Sequence, residues 1–169
     1  LGAPSEDVAI AFYDKIGVAL QLPGETQPPF KYLGLVRDFN GVDVHQTRDY
    51  IKISSKTFID KICEKYLTSW MRNFTTTDDR PTPLPTDPTW FKKFNAATGN
   101  PDPNVQAKLA KQMQLTYRCG VGELIWAMTT TRPDVTFASV KISQANAAPD
   151  EHHYHSVKHA LKYLYSTRD

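Results

Sequence analysis

Asn40-Gly41-Val42-Asp43-Val44-His45-Gln46-Thr47, then Tyr50-Ile51-Lys52-Ile53-Ser54-Ser55, then Phe58-Ile59 and Ile62, is the stretch that decides the fold class. Asn-Gly is a tight-turn pair, because both residues tolerate positive φ. After it, Val42 to Thr47 alternates as a strand does, and Tyr50 to Ser54 is rich in β-formers. Before it, Phe30 to Asp38 contains Tyr32, Leu33, Leu35 and Val36 and reads as a further strand. Beyond Ser55 the apolar period changes from two to between three and four. Phe58, Ile59, Ile62, Tyr66 and Trp70 make one stripe of a helix over roughly 56–71, with Ser54 and Ser55 as candidate caps. The prediction is an α+β chain: a short antiparallel sheet of about three strands, then a mainly helical region.

Working outward, Ser5 precedes Glu6 and Asp7 at a helix start, and Val8, Phe12 and Ile16 recur at helical spacing over 6–18. Pro23-Gly24 and Pro28-Pro29 break the chain after it. Residues 73–104 are rich in Thr and Pro and carry only one short helical pattern, Pro88 to Phe94. The last third is helical again. Asp102-Pro103 opens one helix and Pro133 another, while Pro149-Asp150-Glu151 opens the last. Leu115 to Met128 places Tyr117, Val121, Leu124, Ile125 and Met128 on one stripe. Gly120 and Gly122 interrupt it, which predicts close approach of a neighbouring backbone. In the last helix, His153, Val157, Ala160, Leu161 and Leu164 form the apolar ridge.

Hydrophobic residues make up 40% of the 169 and charged residues 22%, a globular balance rather than a disordered one. The net charge of +2 makes no case for nucleic acid, but its distribution is uneven. Residues 1–50 hold seven acids and four bases, residues 51–76 two acids and five bases, and residues 105–169 five acids and eight bases. Lys61, Lys65 and Arg72, at offsets of four and seven, predict a basic ridge on the 56–71 helix. No apolar run approaches the roughly 20 residues of a membrane helix, and no membrane partner is expected. Cys63 and Cys119 lie in apolar helical patterns and read as small buried thiols, consistent with a reducing intracellular compartment. His152, His155 and His159 share helical spacing, but Lys158 and Lys162 beside them disfavour a cation, leaving exposed histidines on a basic face. His153, on the apolar ridge, reads as a hydrogen-bonded core histidine. Arg132 and Asp134 flank Pro133, where a structural pair is the favoured reading.

Three stretches in this order resemble the reverse transcriptases of copia-type LTR retrotransposons. Lys31-Tyr32-Leu33-Gly34-Leu35-Val36 is similar to that family's Phe-Leu-Gly-Ile strand. Tyr50-Ile51-Lys52-Ile53-Ser54-Ser55 with Phe58-Ile59 is similar to Gly-Ile-x-Leu-Ser-Gln-x-x-Tyr-Ile. Tyr117-Arg118-Cys119-Gly120-Val121-Gly122-Glu123-Leu124-Ile125-Trp126 resembles Tyr-Arg-x-x-Val-Gly-x-Leu-x-Tyr. Thr131-Arg132-Pro133-Asp134-Val135-Thr136-Phe137-Ala138 and Leu161-Lys162-Tyr163-Leu164-Tyr165-Ser166-Thr167 continue it at matching spacing. Together they cover about residues 30–70 and 115–169.

The resemblance implies that residues 1–54 are the C-terminal edge of a palm-like subdomain carrying a primer-grip hairpin. Residues 55–169 are then a helical thumb and connection, with 73–104 as its irregular part. It implies nucleic-acid contacts from Tyr50, Lys52, Ser54 and Ser55, where a short strand pair can hold a phosphate backbone without reading sequence. Lys61, Lys65 and Arg72 would be the phosphate-contacting ridge of the thumb. The implied partners are an RNA/DNA primer–template duplex and the rest of a polyprotein, with palm and fingers upstream and ribonuclease H downstream. The implied location is cytoplasmic, in a virus-like particle, or nuclear.

Departures from the family pattern are equally informative. Polymerase chemistry needs an Asp earlier in the palm and a Tyr-x-Asp-Asp turn to hold two divalent ions, Mg in the intact parent enzyme. Neither is present in this chain, and no cofactor is expected in the fragment itself. Asp78-Asp79 follows Thr75-Thr76-Thr77 in a proline-rich connection, on the wrong side of the Tyr-Leu-Gly strand, and reads as loop. An extra strand, Val42 to Thr47, separates two motifs that are adjacent in the family, and Ser54-Ser55 stands for Ser-Gln. The chain begins Leu1-Gly2-Ala3-Pro4 without Met, so a longer parent is expected. The expected role is holding primer–template without catalysis. The alternatives are an inactive remnant, or a repurposed nucleic-acid-binding or protein-interaction module.

Overall fold

The computed structural model describes residues 5–21, 24, 37–47, 49–74 and 81–169. The Tyr-Leu-Gly strand and the Asp78-Asp79 pair lie outside these residues. Two compact units divide after Val36. The hairpin falls in the second unit with the later helices.

The first unit holds α1, Glu6–Leu20. Its N-cap is Ser5, whose hydroxyl accepts from the Val8 N–H at 3.4 Å, and Glu6 and Asp7 complement the positive end of the helix dipole. Within this unit Val8 and Phe12 remain exposed, and Gly17 is the buried residue of the helix.

The second unit opens with a three-stranded antiparallel sheet of order β1-β2-β3: β1 Asp38–Phe39, β2 Val42–Gln46 and β3 Ile51–Ser54. Asn40 and Gly41 both have positive φ, 53° and 79°, as the hairpin dipeptide requires. Phe39 pairs with Val42, Asp43 with Ser54, and His45 with Lys52. Among the described residues six helices follow: α2 Lys56–Leu67, α3 Pro88–Ala96, α4 Pro103–Met113, α5 Tyr117–Thr130, α6 Thr136–Ser143 and α7 Glu151–Ser166. A single 3₁₀ turn, Pro133–Val135, links α5 to α6. The α+β class is as the period change at Ser55 predicts.

The core is made where α5, α6 and α7 meet, with α2 against α7. Val121, Leu124 and Ala127 of α5, Ala138 and Ile142 of α6, and Val157, Ala160, Leu161 and Leu164 of α7 are all essentially solvent-free. The three alanines among them let helix backbones approach closely. Ile59, Ile62, Cys63 and Tyr66 add the buried face of α2. Each leucine or isoleucine so buried contributes about 1.5–3 kcal/mol of transfer free energy.

Four expectations are corrected. Ile125 is exposed, because the buried stripe of α5 runs 117, 120, 121, 124, 127 and leaves position 125 on the outer edge. Cys119 is exposed as well, and only Cys63 is a buried thiol. The two glycines of α5 differ. Gly120 is approached by the Val157 side chain rather than by a backbone, and Gly122 faces open space. His152 and His159 are half-buried, and only His155 of that trio is exposed.

The Pro/Thr-rich connection is tied down at its C-terminal end. Asp87 caps α3, accepting from the Thr89 N–H at 2.8 Å. Trp90 and Phe94 of α3 are buried against α7, with the Phe94 and His153 rings edge-to-face at 4.6 Å. Asp150 and His153 form a reciprocal capping box at the start of α7. The His153 Nδ1 accepts from the Asp150 N–H at 3.0 Å, so its Nε2–H donates to the Phe94 carbonyl at 3.2 Å. His153 is thus the hydrogen-bonded core histidine that the ridge predicts. Burial holds its imidazole below the usual range, against the opposing pull of Asp150.

Candidate nucleic-acid interface

The hairpin is fixed to the helices at two points. At its turn, Gly41 sits over Trp126 of α5, where an added Cβ would lie 3.3 Å from the indole. Trp126 in turn stacks on Phe58 of α2, with ring centroids 3.6 Å apart. At its base, Asp43 of β2 takes over the capping that Ser55 was expected to supply. Its Oδ2 accepts from the Thr57 N–H at 2.9 Å and from the Ser54 hydroxyl at 3.5 Å, while Ser55 makes no side-chain cap. Burial alone would raise the Asp43 carboxyl, but the Thr57 and Ser54 hydrogen bonds and the Lys56 charge hold it below the usual range. Nothing in the strand alternation marks Asp43 for this role, because its partner is 14 residues away.

The four hairpin residues expected to contact nucleic acid divide in two. Tyr50 is 56% exposed and Lys52 is exposed, and the Tyr50 ring lies 6.0 Å from His45, the residue paired with Lys52. These make one solvent-facing group on the hairpin. Ser54 is half-buried and bonded to Asp43. Ser55 is 3% exposed, and its hydroxyl accepts from the Thr131 Oγ1 at 2.6 Å, joining β3 to the end of α5. The opposite face of the sheet is apolar and open, with Phe39, Ile51 and Ile53 all exposed.

The basic ridge divides similarly. Lys61 is exposed on α2. Lys65 is ion-paired with Glu123 of α5, and its ammonium also lies 4.7 Å from the Tyr66 ring centroid. Glu123 is at the same time the acceptor for the Tyr66 hydroxyl, at 2.8 Å. Burial and the Glu123 charge push the Tyr66 phenol well above its ordinary value. Glu123 therefore staples α2 to α5 and engages one of the three ridge charges. Arg72 is exposed, but α2 ends at Leu67 and residues 68–73 are turns, so Arg72 does not continue the helical ridge.

Arg132 and Asp134 are a bidentate pair, Nε to Oδ1 at 2.9 Å and Nη2 to Oδ2 at 2.7 Å. Arg132 also reaches Thr167, at 3.1 Å to its carbonyl and 2.6 Å to its hydroxyl, and the Tyr163 hydroxyl donates to Asp134 at 2.8 Å. The motif thus ties the α5–α6 junction to the end of α7, the structural role favoured for it. Burial would raise the Asp134 carboxyl, but Arg132 and Tyr163 hold it below the usual range. Among the described residues, no group of three His, Cys, Asp or Glu side chains converges as a metal site would require, and no helix is long and apolar enough to cross a membrane.

The chain is 28% identical over 166 residues to the retrovirus-related Pol polyprotein from transposon TNT 1-94 of Nicotiana tabacum. The match takes in 96% of this chain and 11% of that polyprotein, so the chain spans about a tenth of its relative's length. No family model matches the chain, and no solved structure matches it. The similarity supports a sequence derived from a transposon polyprotein.

Proposed function

We propose that this chain is the primer–template-holding region of a copia-type reverse transcriptase, a part that grips the duplex and does no chemistry alone. The observation that carries this reading is the group of Tyr50 and Lys52 on the open side of a hairpin that is locked to α2 through Asp43 and to α5 through Gly41 and Trp126. A backbone-holding element needs that combination: exposed donors and a ring, on a support that does not yield when a duplex pulls on it. Lys61, one helix further on, extends the positive surface, and Arg72 adds a charge from the turn after α2. Lys65 contributes less, because Glu123 already neutralises it. The similarity to a transposon Pol polyprotein agrees with this reading, as do the motif-by-motif resemblances. The metal-binding aspartates are absent from this chain, so polymerisation belongs to a larger enzyme that includes it.

The test is binding of an RNA–DNA hybrid duplex to the 169-residue chain across a range of salt. Phosphate contact predicts steep loss of affinity with salt, since each neutralised phosphate releases counterions. No binding at low salt would overturn the proposal and leave the interaction-module or remnant readings.

A further inference from the structure

The strand order β1-β2-β3 leaves β3 with one open side among the described residues. In an antiparallel pair, residues that exchange main-chain hydrogen bonds with the neighbouring strand alternate with residues that do not. The Thr47 N–H donates to the Tyr50 carbonyl at 2.9 Å. In the register of β2 and β3 this makes His45 with Lys52, and Asp43 with Ser54, the bonded pairs. The Val44 N–H donates to the Arg37 carbonyl at 2.8 Å, so Val44 turns to the β1 side, as the same alternation requires. Ile51 and Ile53 therefore direct both their N–H and C=O groups away from β2. Among the described residues no main-chain group meets them.

The side chains along this edge are open too. Ile51 is 62% exposed and Ile53 58%, and Phe39, on the same face through its pairing with Val42, is 68% exposed. A row of unpaired main-chain groups beside exposed apolar side chains is a template for one more strand. Lys52, between the two isoleucines, decides which strand. It is exposed and lies on the other face, opposite His45. A second copy of this chain is disfavoured. The register that sets Ile51 and Ile53 against Ile53 and Ile51 of the copy also sets Lys52 against Lys52, and like charges directly opposite destabilise a sheet. An acid in that place removes the repulsion and adds an attraction. Lys52 thus rejects self-pairing and selects an acidic partner.

We propose that the open edge of β3 is a docking site for an extended protein segment carrying an acid between two β-branched apolar residues, which binds by adding a further strand to the sheet. The main-chain groups of Ile51 and Ile53 supply the hydrogen bonds. Their side chains receive the apolar pair on one face, and Lys52 receives the acid on the other. The site shares Lys52 with the duplex-holding reading of the hairpin. It is carried by the unpaired edge, so it stands or falls apart from that reading.

The experiment follows the backbone amide resonances of the 169-residue chain by NMR as the end-capped peptide Thr-Val-Glu-Val-Thr is added. The control peptide is Thr-Val-Lys-Val-Thr. The expected result is a saturable shift of the Ile51 and Ile53 amides, with slower hydrogen exchange at both. The Lys52 amide, which already bonds to β2, should keep its exchange rate. The Glu peptide should bind about threefold or more tightly than the Lys peptide, since an opposed charge pair replaces a like one. Lys52→Glu, a change at an exposed position, should reverse that order. No saturable shift with either peptide, equal affinity for both, or an order that Lys52→Glu leaves unchanged overturns the site. A second arm adds an RNA–DNA hybrid alone. If the hybrid and not the peptide slows exchange at Ile51 and Ile53, the edge serves nucleic acid and the proposal is overturned. If the peptide binds and the hybrid does not, the edge site holds and the duplex-holding reading fails.

Discussion

Gly120 and Gly122 lie two residues apart on α5, yet alanine should stabilise the chain at Gly122 and not at Gly120. In a helix interior, alanine is favoured over glycine by about 1 kcal/mol. At Gly122 nothing lies within 4 Å of an added Cβ, so the full gain is expected. For a chain of this size that is a rise of about 2–4 °C in Tm. At Gly120 the same Cβ would lie 2.6 Å from Val157 Cγ1, with Leu115 carbons at 3.4 and 3.7 Å. Carbon atoms pack at about 3.5–4.0 Å, so the overlap with Val157 is close to a full ångström. Val157 is fully buried and β-branched, with one strongly preferred rotamer in a helix, and has nowhere to turn. Overpacking of this kind costs about 1–3 kcal/mol, which cancels or exceeds the propensity gain. Gly120→Ala should therefore be less stable than Gly122→Ala by about 1–3 kcal/mol, read from urea unfolding of the two variants. Adding Val157→Ala should relieve the clash and give a favourable coupling in the double-mutant cycle. If Gly120→Ala stabilises as much as Gly122→Ala, the packing of α5 on α7 described above is wrong.

Asp43→Ala should destabilise the chain by about 1 kcal/mol through loss of the α2 cap, measured by the same unfolding assay, whereas Ser55→Ala acts through its Thr131 partner and not through a cap. His153 gives a pH signature. Its folded-state pKa is depressed, so the stability it contributes is present above its unfolded value of about 6.5 and is lost as pH falls through the folded value. Unfolding free energy measured from pH 8 to pH 5 should fall more steeply for the native chain than for His153→Gln, and parallel curves would refute the buried neutral imidazole. A thiol reagent at pH 8 should label Cys119 alone in the folded chain, because burial pushes the Cys63 thiol up to about 12 and shields it. Both should react after unfolding, and rapid labelling of Cys63 in the folded chain would contradict its place in the core.

The architecture was legible wherever one residue and its neighbours along the chain decide the outcome. Asn40-Gly41 announced the hairpin, the change of period at Ser55 announced α2, and Pro103, Pro133 and Asp150 marked later helix starts. Val157, Ala160, Leu161 and Leu164 were readable as core because a single helix fills its buried face at a fixed spacing. What escaped depends on contacts between distant segments. Asp43 as the cap of α2, Glu123 as the partner of Lys65 and Tyr66, and Thr131 on Ser55 are decided by tertiary pairing, which no local pattern encodes. The same cause explains Ile125 and Cys119, which satisfy the helical period but sit just outside the arc that α6 and α7 cover. At the candidate interface, charge and spacing marked Lys52, Lys61, Lys65 and Arg72 alike. Only the fold distinguishes Lys61, on the open face, from Lys65, which is held by Glu123.

The most direct test of the duplex-holding account is the salt dependence of hybrid-duplex affinity for the native chain, for Lys52→Glu with Lys61→Glu, and for Lys65→Glu. Each phosphate contact adds roughly 0.9 to the slope of log affinity against log salt. The account predicts that the Lys52/Lys61 double variant loses affinity and has a slope shallower by about 2, while Lys65→Glu changes the slope far less. Equal slopes for the native chain and the double variant would contradict it.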